Sequence, residues 1–189
     1  MRVDPVASTQ TPAVTFDRVI VIYNPNSTGD APALAEELRA DLAERLPDLP
    51  VDLNPTEHAG HARTLAADAA RSGRPLIVSV SGDGGYNEVV NGVMDVPGSK
   101  AVCTVVAAGN ANDHHRSMPA RPLPQAVLDD PVRHIDLLRI TFGTEQPAQV
   151  HYAHSYIGFG LTPLMAIGIE SGGKGNSSNL CPSPAHSLT

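Results

Sequence analysis

The chain lacks the features that mark several large classes of protein. It has two cysteines, Cys103 and Cys181, in 189 residues, which are too few and too scattered for a disulfide framework. No stretch reaches the roughly 20 apolar residues that a membrane-spanning helix needs. The N-terminus shows no basic segment followed by an apolar one, so we expect no signal peptide. These absences predict a cytoplasmic protein, with peripheral contact at a membrane surface left open.

Positive charge is scarce as well. Thirteen Lys and Arg residues stand against 20 Asp and Glu residues, which gives a formal net charge of −7 at pH 7. A protein that binds nucleic acid over a surface needs a basic face, so we expect no nucleic-acid partner. A single nucleotide is not excluded, because a few backbone N–H groups can hold its phosphates. No lysine precedes Lys100, so the earlier loops are not of the GxxxxGK[ST] type.

The chain does contain a clear alternation of strand and helix signals. Short β-branched runs recur, and leucines four residues apart at Leu34, Leu38 and Leu42 predict an amphipathic helix. Alternation at this spacing indicates an α/β fold, a Rossmann-like parallel sheet flanked by helices. The predicted elements are strands at 18–23, 51–53, 76–80 and 101–106, and helices at 32–45, at 57–72 with Thr56 as N-cap and Gly73 as C-cap, and from 86 to 93.

The pattern changes after residue 131, where helical periodicity gives way to strand signals. Runs at 133–142 and 149–157 read as strands with no long helix between them, and 161–170 reads as a helix. We therefore predict a nucleotide-binding α/β domain at 18–131 and the start of a second, β-rich domain at 132–170, truncated in this chain. Residues 1–17 read as a mobile leader and residues 171–189 as a disordered or aberrant tail.

Three loops follow predicted strands and are rich in Gly, Asn, Ser or Asp. They lie at 24–29, 81–85 and 107–113. Ligands of open parallel sheets bind beyond the carboxyl ends of the strands. We therefore expect the three loops to meet at one edge of the sheet and to form a ligand site there.

The central loop and the helix after it read SGDGGYNEVVNG over 81–92. Gly82, Gly84 and Gly85 leave little side chain in the way of a ligand, and they can adopt positive φ angles that let the backbone approach phosphates. The helix beyond them would aim its free N–H groups at the same point. The alternative is a tight turn in which glycine serves the geometry alone.

Polar side chains accompany these glycines. Asp83 would repel a phosphate unless Mg²⁺ or a nucleotide hydroxyl lay between them. Asn87 and Glu88 fall on the first turn of the predicted helix, where Asn87 would bond a ligand and Glu88 would orient the loop. The combination favours nucleotide binding over a plain turn.

The first loop, YNPNSTG, also follows a strand and precedes a helix. Asn24, Ser27 and Thr28 offer amide and hydroxyl donors, and Gly29 permits a close turn. A plain connection built from turn residues remains the alternative for this loop.

The third loop, AAGNANDHHR, clusters small and polar residues at a strand end. Gly109, Asn110, Asn112 and Asp113 belong to it, and Arg116 is the nearest cation for a phosphate. Capping of the short helix that follows is an equally good role for Asp113.

Eight histidines raise the question of a metal site. His58 and His61 are three residues apart and would face the same way, but no Cys or carboxylate group nearby completes a tetrahedral zinc site. The adjacent pair at 114–115 cannot share a helix face, and His151 and His154 would point to opposite faces of a strand. We therefore favour exposed histidines near the nucleotide over a zinc site.

Taken together, NPNSTG, SGDGGYNEVVNG and AAGNANDHHR resemble the diacylglycerol kinase catalytic domain family in order and spacing. That family includes bacterial lipid kinases, sphingosine kinases and ceramide kinases, and it is distantly related to NAD kinases. The resemblance covers about 18–170 and implies a kinase that uses ATP and Mg²⁺ to phosphorylate a lipid such as diacylglycerol. It also implies a β-sandwich second domain, whose entry strand would include 134–136 and whose glycine-bearing segment would be 156–161.

The resemblance and the loop compositions together give a set of expected site residues. Asp83 is the expected catalytic residue, which would order Mg²⁺ or polarise the attacking hydroxyl. The expected nucleotide-binding residues are Asn24, Pro25, Asn26, Ser27, Thr28, Gly29, Thr56, Gly82, Asp83, Gly84, Gly85, Asn87, Glu88, Gly109, Asn110, Asn112 and Asp113.

Three positions depart from the family pattern. Ser81 stands at its first glycine, Gly85 at its motif threonine and Asn110 at the threonine of the third motif. Loss of two hydroxyls would weaken phosphate or Mg²⁺ binding, although Asn110 still offers a donor and Gly85 adds backbone access. Because members of the family are longer than this chain, a catalytically incomplete ATP-binding fragment is the alternative. An NAD kinase is less favoured, since the first and third loops fit it less well.

Overall fold

The computed structural model describes residues 16–27, 29–110, 112–117, 121–129, 131–142 and 149–157. Strands and helices alternate through most of this part of the chain, and an antiparallel hairpin follows. The elements are β1 (Val19–Tyr23), α1 (Ala31–Arg45), β2 (Val51–Pro55), α2 (His61–Ala70), β3 (Leu76–Ser81), α3 (Asp83–Met94), β4 (Val102–Ala107), α4 (Asp113–Ser117), α5 (Leu123–Asp129), β5 (Leu138–Phe142) and β6 (Gln149–Ala153).

Four strands form one parallel sheet in the order β2-β1-β3-β4, which confirms the predicted α/β architecture. Val19 lies beside Val51 on one side and beside Leu76 on the other, and Leu76 pairs in turn with Val102. The chain steps outward from β1 to β2, returns across β1 to β3 and continues outward to β4. The loops after β1 and β3 therefore lead in opposite directions, and a crevice forms between them at the carboxyl ends of the strands.

Alternating side chains along the strands divide the core into two layers. Val19 and Val21 of β1 pack with Leu42 of α1 on one face of the sheet. Ile20 and Ile22 face the other way and join a cluster that includes residues of α2 and α3. One face of the sheet is thus covered by α1 and the other by α2 and α3, which places the start of α3 beside the crevice.

The antiparallel β5–β6 pair, called the hairpin below, is attached to α3 through a buried asparagine. Asn91 Oδ1 accepts a hydrogen bond of 2.8 Å from the Tyr152 N–H, and Asn91 Nδ2 donates to the Tyr152 carbonyl oxygen, also at 2.8 Å. The side-chain amide pairs with the backbone of β6 as a neighbouring strand would. The hairpin is therefore held against the helix that leaves the central glycine loop.

The helix α2 begins later than the alanine-rich composition predicted. It starts at His61 rather than at residue 57, and its N-cap is Gly60 with φ of 81°. The predicted cap, Thr56, instead continues the strand pairing, since its N–H donates to the Tyr23 carbonyl oxygen at 2.8 Å. The prediction of Thr56 as N-cap was wrong because pairing with β1 extends β2 and uses the backbone of that residue.

The helix α3 begins earlier than predicted, at Asp83 rather than at residue 86. Gly82 is its N-cap with φ of −85°, and neither Gly84 nor Gly85 has a positive φ. The left-handed backbone that these glycines permit is therefore not used, and the free N–H groups come from an early helix start. Asn87 and Glu88 consequently lie on the second turn, not the first.

One short helix was not predicted, and several predicted segments lie outside the described residues. The short helix α5 was not predicted, and its Leu123 and Val127 pack against the core layer on the α1 side. The helix predicted at 161–170, the tail at 171–189 and the leader up to residue 15 lie outside the described residues. No helix within the described ranges is long and apolar enough to cross a membrane.

Candidate active site

The three loops meet at the carboxyl ends of the strands, as the sequence predicted. A Cβ atom on Gly82 would lie 3.2 Å from the Cα of Gly109, and a Cβ on Gly29 would lie 2.9 Å from the carbonyl oxygen of Ala108. The Ala108 N–H donates to the Ser81 carbonyl oxygen at 3.0 Å. Glycine is needed at Gly82 and Gly109 because the two backbones touch, which is a different reason from a left-handed turn.

A cleft of about 390 Å³ opens at this edge of the sheet, on the face that α2 and α3 cover. We call it the strand-end cleft. Its volume falls in the range of small-molecule sites. It is lined by Ile22, Tyr23, Asn24, Asn26, Thr56, Glu57, His58, Ala59, Ala62, Ser79, Ser81, Gly85 and Glu88.

Two serine hydroxyls lie at the wall of the strand-end cleft. Ser79 and Ser81 are buried, their Oγ atoms are 2.7 Å apart, and Ser81 Oγ donates to the Gly82 carbonyl oxygen at 3.0 Å. A Cβ on Gly85 would lie 2.7 Å from both Cβ and Oγ of Ser81. The departures from the family pattern at Ser81 and Gly85 are therefore one packing arrangement, in which the side chain of Ser81 fills the space beside Gly85.

Asp83 lies on the side of α3 away from the cleft-lining Gly85. Its Oδ2 accepts a hydrogen bond from the Asp113 N–H at 3.1 Å and its Oδ1 accepts one from the His114 N–H at 3.2 Å. The carboxylate thus caps the start of α4, a role that the sequence suggested for Asp113 itself. Each oxygen keeps a further lone pair for another donor.

Three rings pack together on this second side of α3 and form what we call the ring cluster: Tyr86, His114 and His154. The ring centroids are 4.8 Å apart for Tyr86 and His114, 4.9 Å for Tyr86 and His154, and 5.1 Å for the two histidines. The imidazole of His154 also contacts Asn87, with 3.1 Å between Nδ1 and Oδ1.

The ring cluster changes the protonation chemistry of its members. Burial lowers the pKa of His154, and the neighbouring His114 lowers it further, while the charge of Asp83 acts in the opposite direction. Burial also lowers the pKa of His114, with Asp83 again opposing and His115 adding to the effect. Burial raises the pKa of the Tyr86 phenol. The cluster therefore favours neutral imidazoles.

The loop between β2 and α2 forms the far wall of the cleft. Glu88 Oε1 accepts a hydrogen bond from the Gly60 N–H at 3.1 Å, so Glu88 orients this loop rather than the glycine loop before it. His58 and His61 stack with centroids 4.8 Å apart, which confirms that they face the same way. No group of three or more His, Cys, Asp or Glu residues able to hold a metal ion occurs among the described residues.

The third loop is closed by Asn112, whose backbone has φ of 55°. Its Oδ1 accepts from the Gly109 N–H at 3.0 Å, and its Nδ2 donates to the Gly109 carbonyl oxygen at 2.5 Å. The amide of Asn112 is thus used within the loop, where it holds Gly109 against Gly82.

The structure divides the predicted site residues into groups. Those that line the strand-end cleft are Asn24, Asn26, Thr56, Gly85 and Glu88. Those that are bonded on the second side of α3 or in the third loop are Asp83, Asn87, Gly109, Asn112 and Asp113. Pro25, Ser27, Gly29, Gly82, Gly84 and Asn110 do not line the cleft, and Thr28 lies outside the described residues.

Several residues with a place in the site were missed or undervalued by the sequence analysis. Ser79 lies two residues before Ser81 in an otherwise apolar strand. Because residues two apart in a strand point to the same face, the sequence could have predicted that the two hydroxyls lie together. Asn91 and His154 carried no such signal, because their partners lie 61 and 67 residues away along the chain.

Comparison with known proteins yields one family and several relatives. The model of the diacylglycerol kinase catalytic domain family matches residues 18–140. A curated diacylglycerol kinase from Staphylococcus saprophyticus is 29% identical over 110 residues, which covers 53% of this chain and 32% of that protein. The chain thus spans about a third of the length of this relative.

A solved structure is similar at lower identity. The crystal structure of a diacylglycerol kinase from Bacillus anthracis is 22% identical, with a TM-score of 0.48, and the match covers 60% of this chain and 41% of that one. The family match includes the parallel sheet, the strand-end cleft and all three loops.

Proposed function

Because the chain belongs to the diacylglycerol kinase catalytic domain family, we propose that it binds MgATP in the strand-end cleft and transfers the γ-phosphoryl group to a lipid hydroxyl. The observation that carries the proposal is the junction of this cleft with the start of α3. Gly85 lines the cleft from the first turn of that helix. The free N–H groups of a first turn bind anions, and the helix dipole adds to the attraction.

The composition of the cleft suits a nucleotide. Asn24, Asn26 and Thr56 supply amide and hydroxyl groups from the ends of β1 and β2. Gly84 leaves the start of α3 open, because a Cβ atom there would meet nothing within 4 Å. Phosphates at this point would be held by backbone N–H groups, without the lysine that other phosphate-binding loops use.

The carboxylates of the cleft fit a magnesium ion bound through phosphates. Glu57 and Glu88 line the cleft, and Mg²⁺ at substrate phosphates typically takes one or two carboxylates beside the phosphate oxygens and waters. When bound, the ion would neutralise phosphate charge that these two residues otherwise repel. The net negative charge of the chain is therefore compatible with an anionic ligand at this site.

The proposal assigns Asp83 to the acceptor hydroxyl as well as to the nucleotide site. It is the first residue of α3, beside the N–H groups that would hold the phosphates, and its oxygens keep free lone pairs. We assign it the polarisation of the acceptor hydroxyl: the proton passes to the carboxylate, the hydroxyl oxygen bonds to the γ-phosphorus, and the bond from that phosphorus to ADP breaks. Positioning and charge neutralisation supply most of the rate enhancement in such transfers.

The test pairs a thermal-shift measurement with transfer of label from γ-labelled ATP to a panel of lipids in mixed micelles. MgATP should raise the melting temperature of the wild-type chain, and Thr56→Ala should weaken the binding about tenfold. Thr64→Ala, an exposed position on α2, is the matched control and should change nothing. Asp83→Asn should keep the nucleotide shift and reduce label transfer at least ~100-fold.

The outcomes separate the alternatives. No shift with MgATP would contradict binding in the cleft. A shift without transfer to any acceptor would indicate the second candidate, a protein that binds ATP but lacks a complete catalytic site. NAD is offered as a further acceptor in the same assay, and transfer to NAD in place of a lipid would indicate an NAD kinase.

A further inference from the structure

The hairpin and His154, the residue that follows β6, meet α3 at two adjacent hydrogen-bonded points. The first is Asn91, whose buried amide makes two bonds of 2.8 Å with the backbone of Tyr152. The second is one helical turn nearer the start of α3, where Asn87 Oδ1 lies 3.1 Å from His154 Nδ1. Since Asn91 Nδ2 also donates to the Asn87 carbonyl oxygen at 2.8 Å, the two points form one continuous network.

The contact with Asn87 determines where the proton of His154 lies. The amide oxygen of Asn87 is an acceptor only, so Nδ1 of the neutral imidazole carries the hydrogen and donates it. The other nitrogen, Nε2, is then a bare lone pair. It is buried, and no group among the described residues hydrogen-bonds it. A second proton on Nε2 would therefore be a buried donor without an acceptor, which is costly.

The groups around His154 add a charge argument. On α3 it faces the ring of Tyr86 and the carboxylate of Asp83; on α4 it faces His114, with His115 next along the chain. The carboxylate of Asp83 is already bonded to two N–H groups of α4. A second positive imidazole 5.1 Å from His114 would meet repulsion, so the packing holds together when both rings are neutral.

We propose that His154 is a positioning residue: in its neutral Nδ1–H form it fastens the hairpin and α4 to the side of α3 that carries Asp83. The hydrogen bond to Asn87, the ring cluster and the buried, unpaired Nε2 support this role. Its consequence for activity rests on the proposed function, because it makes the geometry around Asp83 depend on a residue outside the three glycine-containing loops.

The attachment itself is measurable without any assay of activity. Amide hydrogen exchange at Val150–Ala153 reports on opening of β6, and exchange at 19–22 and 76–80 reports on the central sheet. His154→Ala removes both the hydrogen bond and the ring, and it should speed exchange of the β6 amides about tenfold while leaving the central sheet unchanged. His154→Asn keeps a donor for Asn87 Oδ1 and should restore most of the protection.

A pH series gives a readout that a merely space-filling residue would not produce. After correction for intrinsic exchange, the wild-type β6 should lose protection when the pH is taken from 7.5 to 5.5, because protonation adds the unpaired donor at Nε2. His154→Asn should lose much less over the same range. Tyr86→Phe keeps the ring and removes only the hydroxyl, so it is the matched control and should behave as the wild type does.

The results distinguish this inference from the proposed function. Unchanged β6 exchange in His154→Ala, or equal pH dependence in the wild type and His154→Asn, would overturn it. Failure of MgATP to shift the melting temperature would leave the exchange results untouched and would count against the proposed function alone. If both hold, His154→Ala should raise KM for the lipid or lower kcat with ATP binding unchanged, and His154→Asn should recover the loss.

Discussion

At the scale of single residues, close contact at the glycines explains more of this site than the polar side chains do. Gly82 and Gly109 let two loop backbones touch, and Gly85 leaves room for the side chain of Ser81. The sequence indicated that glycines would cluster at the ligand. The sequence pointed to positive φ angles as the reason for these glycines, which is a local property of the backbone. The structure shows a tertiary reason: contact with a loop 27 residues further along the chain.

Gly85→Ala should lower the free energy of unfolding by about 1–3 kcal/mol, the usual cost of overpacking. The new Cβ would lie 2.7 Å from the Cβ of Ser81, which cannot rotate away. Adding Ser81→Gly should recover part of the loss, and urea denaturation of the four proteins in the double-mutant cycle measures the coupling.

Gly84→Ala is the control for that cycle, since its Cβ would meet nothing within 4 Å. It should leave stability unchanged or raise it by up to about 1 kcal/mol, because alanine is the better helix former. Equal effects at Gly84 and Gly85 would contradict the coupling of Gly85 to Ser81.

At the scale of elements, α3 joins the strand-end cleft to the ring cluster. One side of it lines the strand-end cleft through Gly85 and Glu88, and another carries Asp83 and Asn87 toward α4 and the hairpin. The residues of the SGDGGYNEVVNG motif therefore lie on different sides of α3, because residues two apart on a helix point about 200° away from each other. The sequence did not predict which motif residues share a side of the helix, because the predicted helix start was three residues too late.

Gly92 marks a second close approach, between α3 and α2. A Cβ there would collide with the carbonyl oxygen of Arg63 and would lie 2.8 Å from the Cβ of Ala66. Gly92→Ala should therefore lower the free energy of unfolding by about 2–3 kcal/mol, as overpacked cores do. Chemical denaturation measures it, again with Gly84→Ala on the same helix as control. A loss no larger than that of the control would show that α2 moves aside freely.

At the scale of the whole molecule, the half-buried histidines His114 and His154 couple stability to pH. Burial lowers the pKa of His114 and His154 from the ordinary value of 6.5. Well above pH 6.5 both are neutral in the folded and unfolded states. As the pH falls through 6.5, the imidazoles bind protons in the unfolded chain but stay neutral in the folded chain. The free energy of unfolding therefore decreases until the pH reaches the lowered pKa values of the folded state.

The expected result is a wild-type free energy of unfolding that decreases between pH 7 and pH 5. The decrease should be smaller in the double variant His114→Phe, His154→Asn. Urea titrations at closely spaced pH values measure both slopes, and the difference between them isolates the histidines from the other titrating groups. Identical slopes would show that neither imidazole is held neutral by the fold.

The sequence by itself determined the parallel sheet, the three loops at its edge and the family. Those features depend on hydrophobic period, on turn residues and on short motifs, all of which are local along the chain. Only the tertiary structure showed that Asp83 bonds the start of α4, that Ser81 and Gly85 share one space, and that His154 bonds Asn87. Each of these depends on the meeting of distant segments at distances of a few ångströms, and no local pattern encodes such distances.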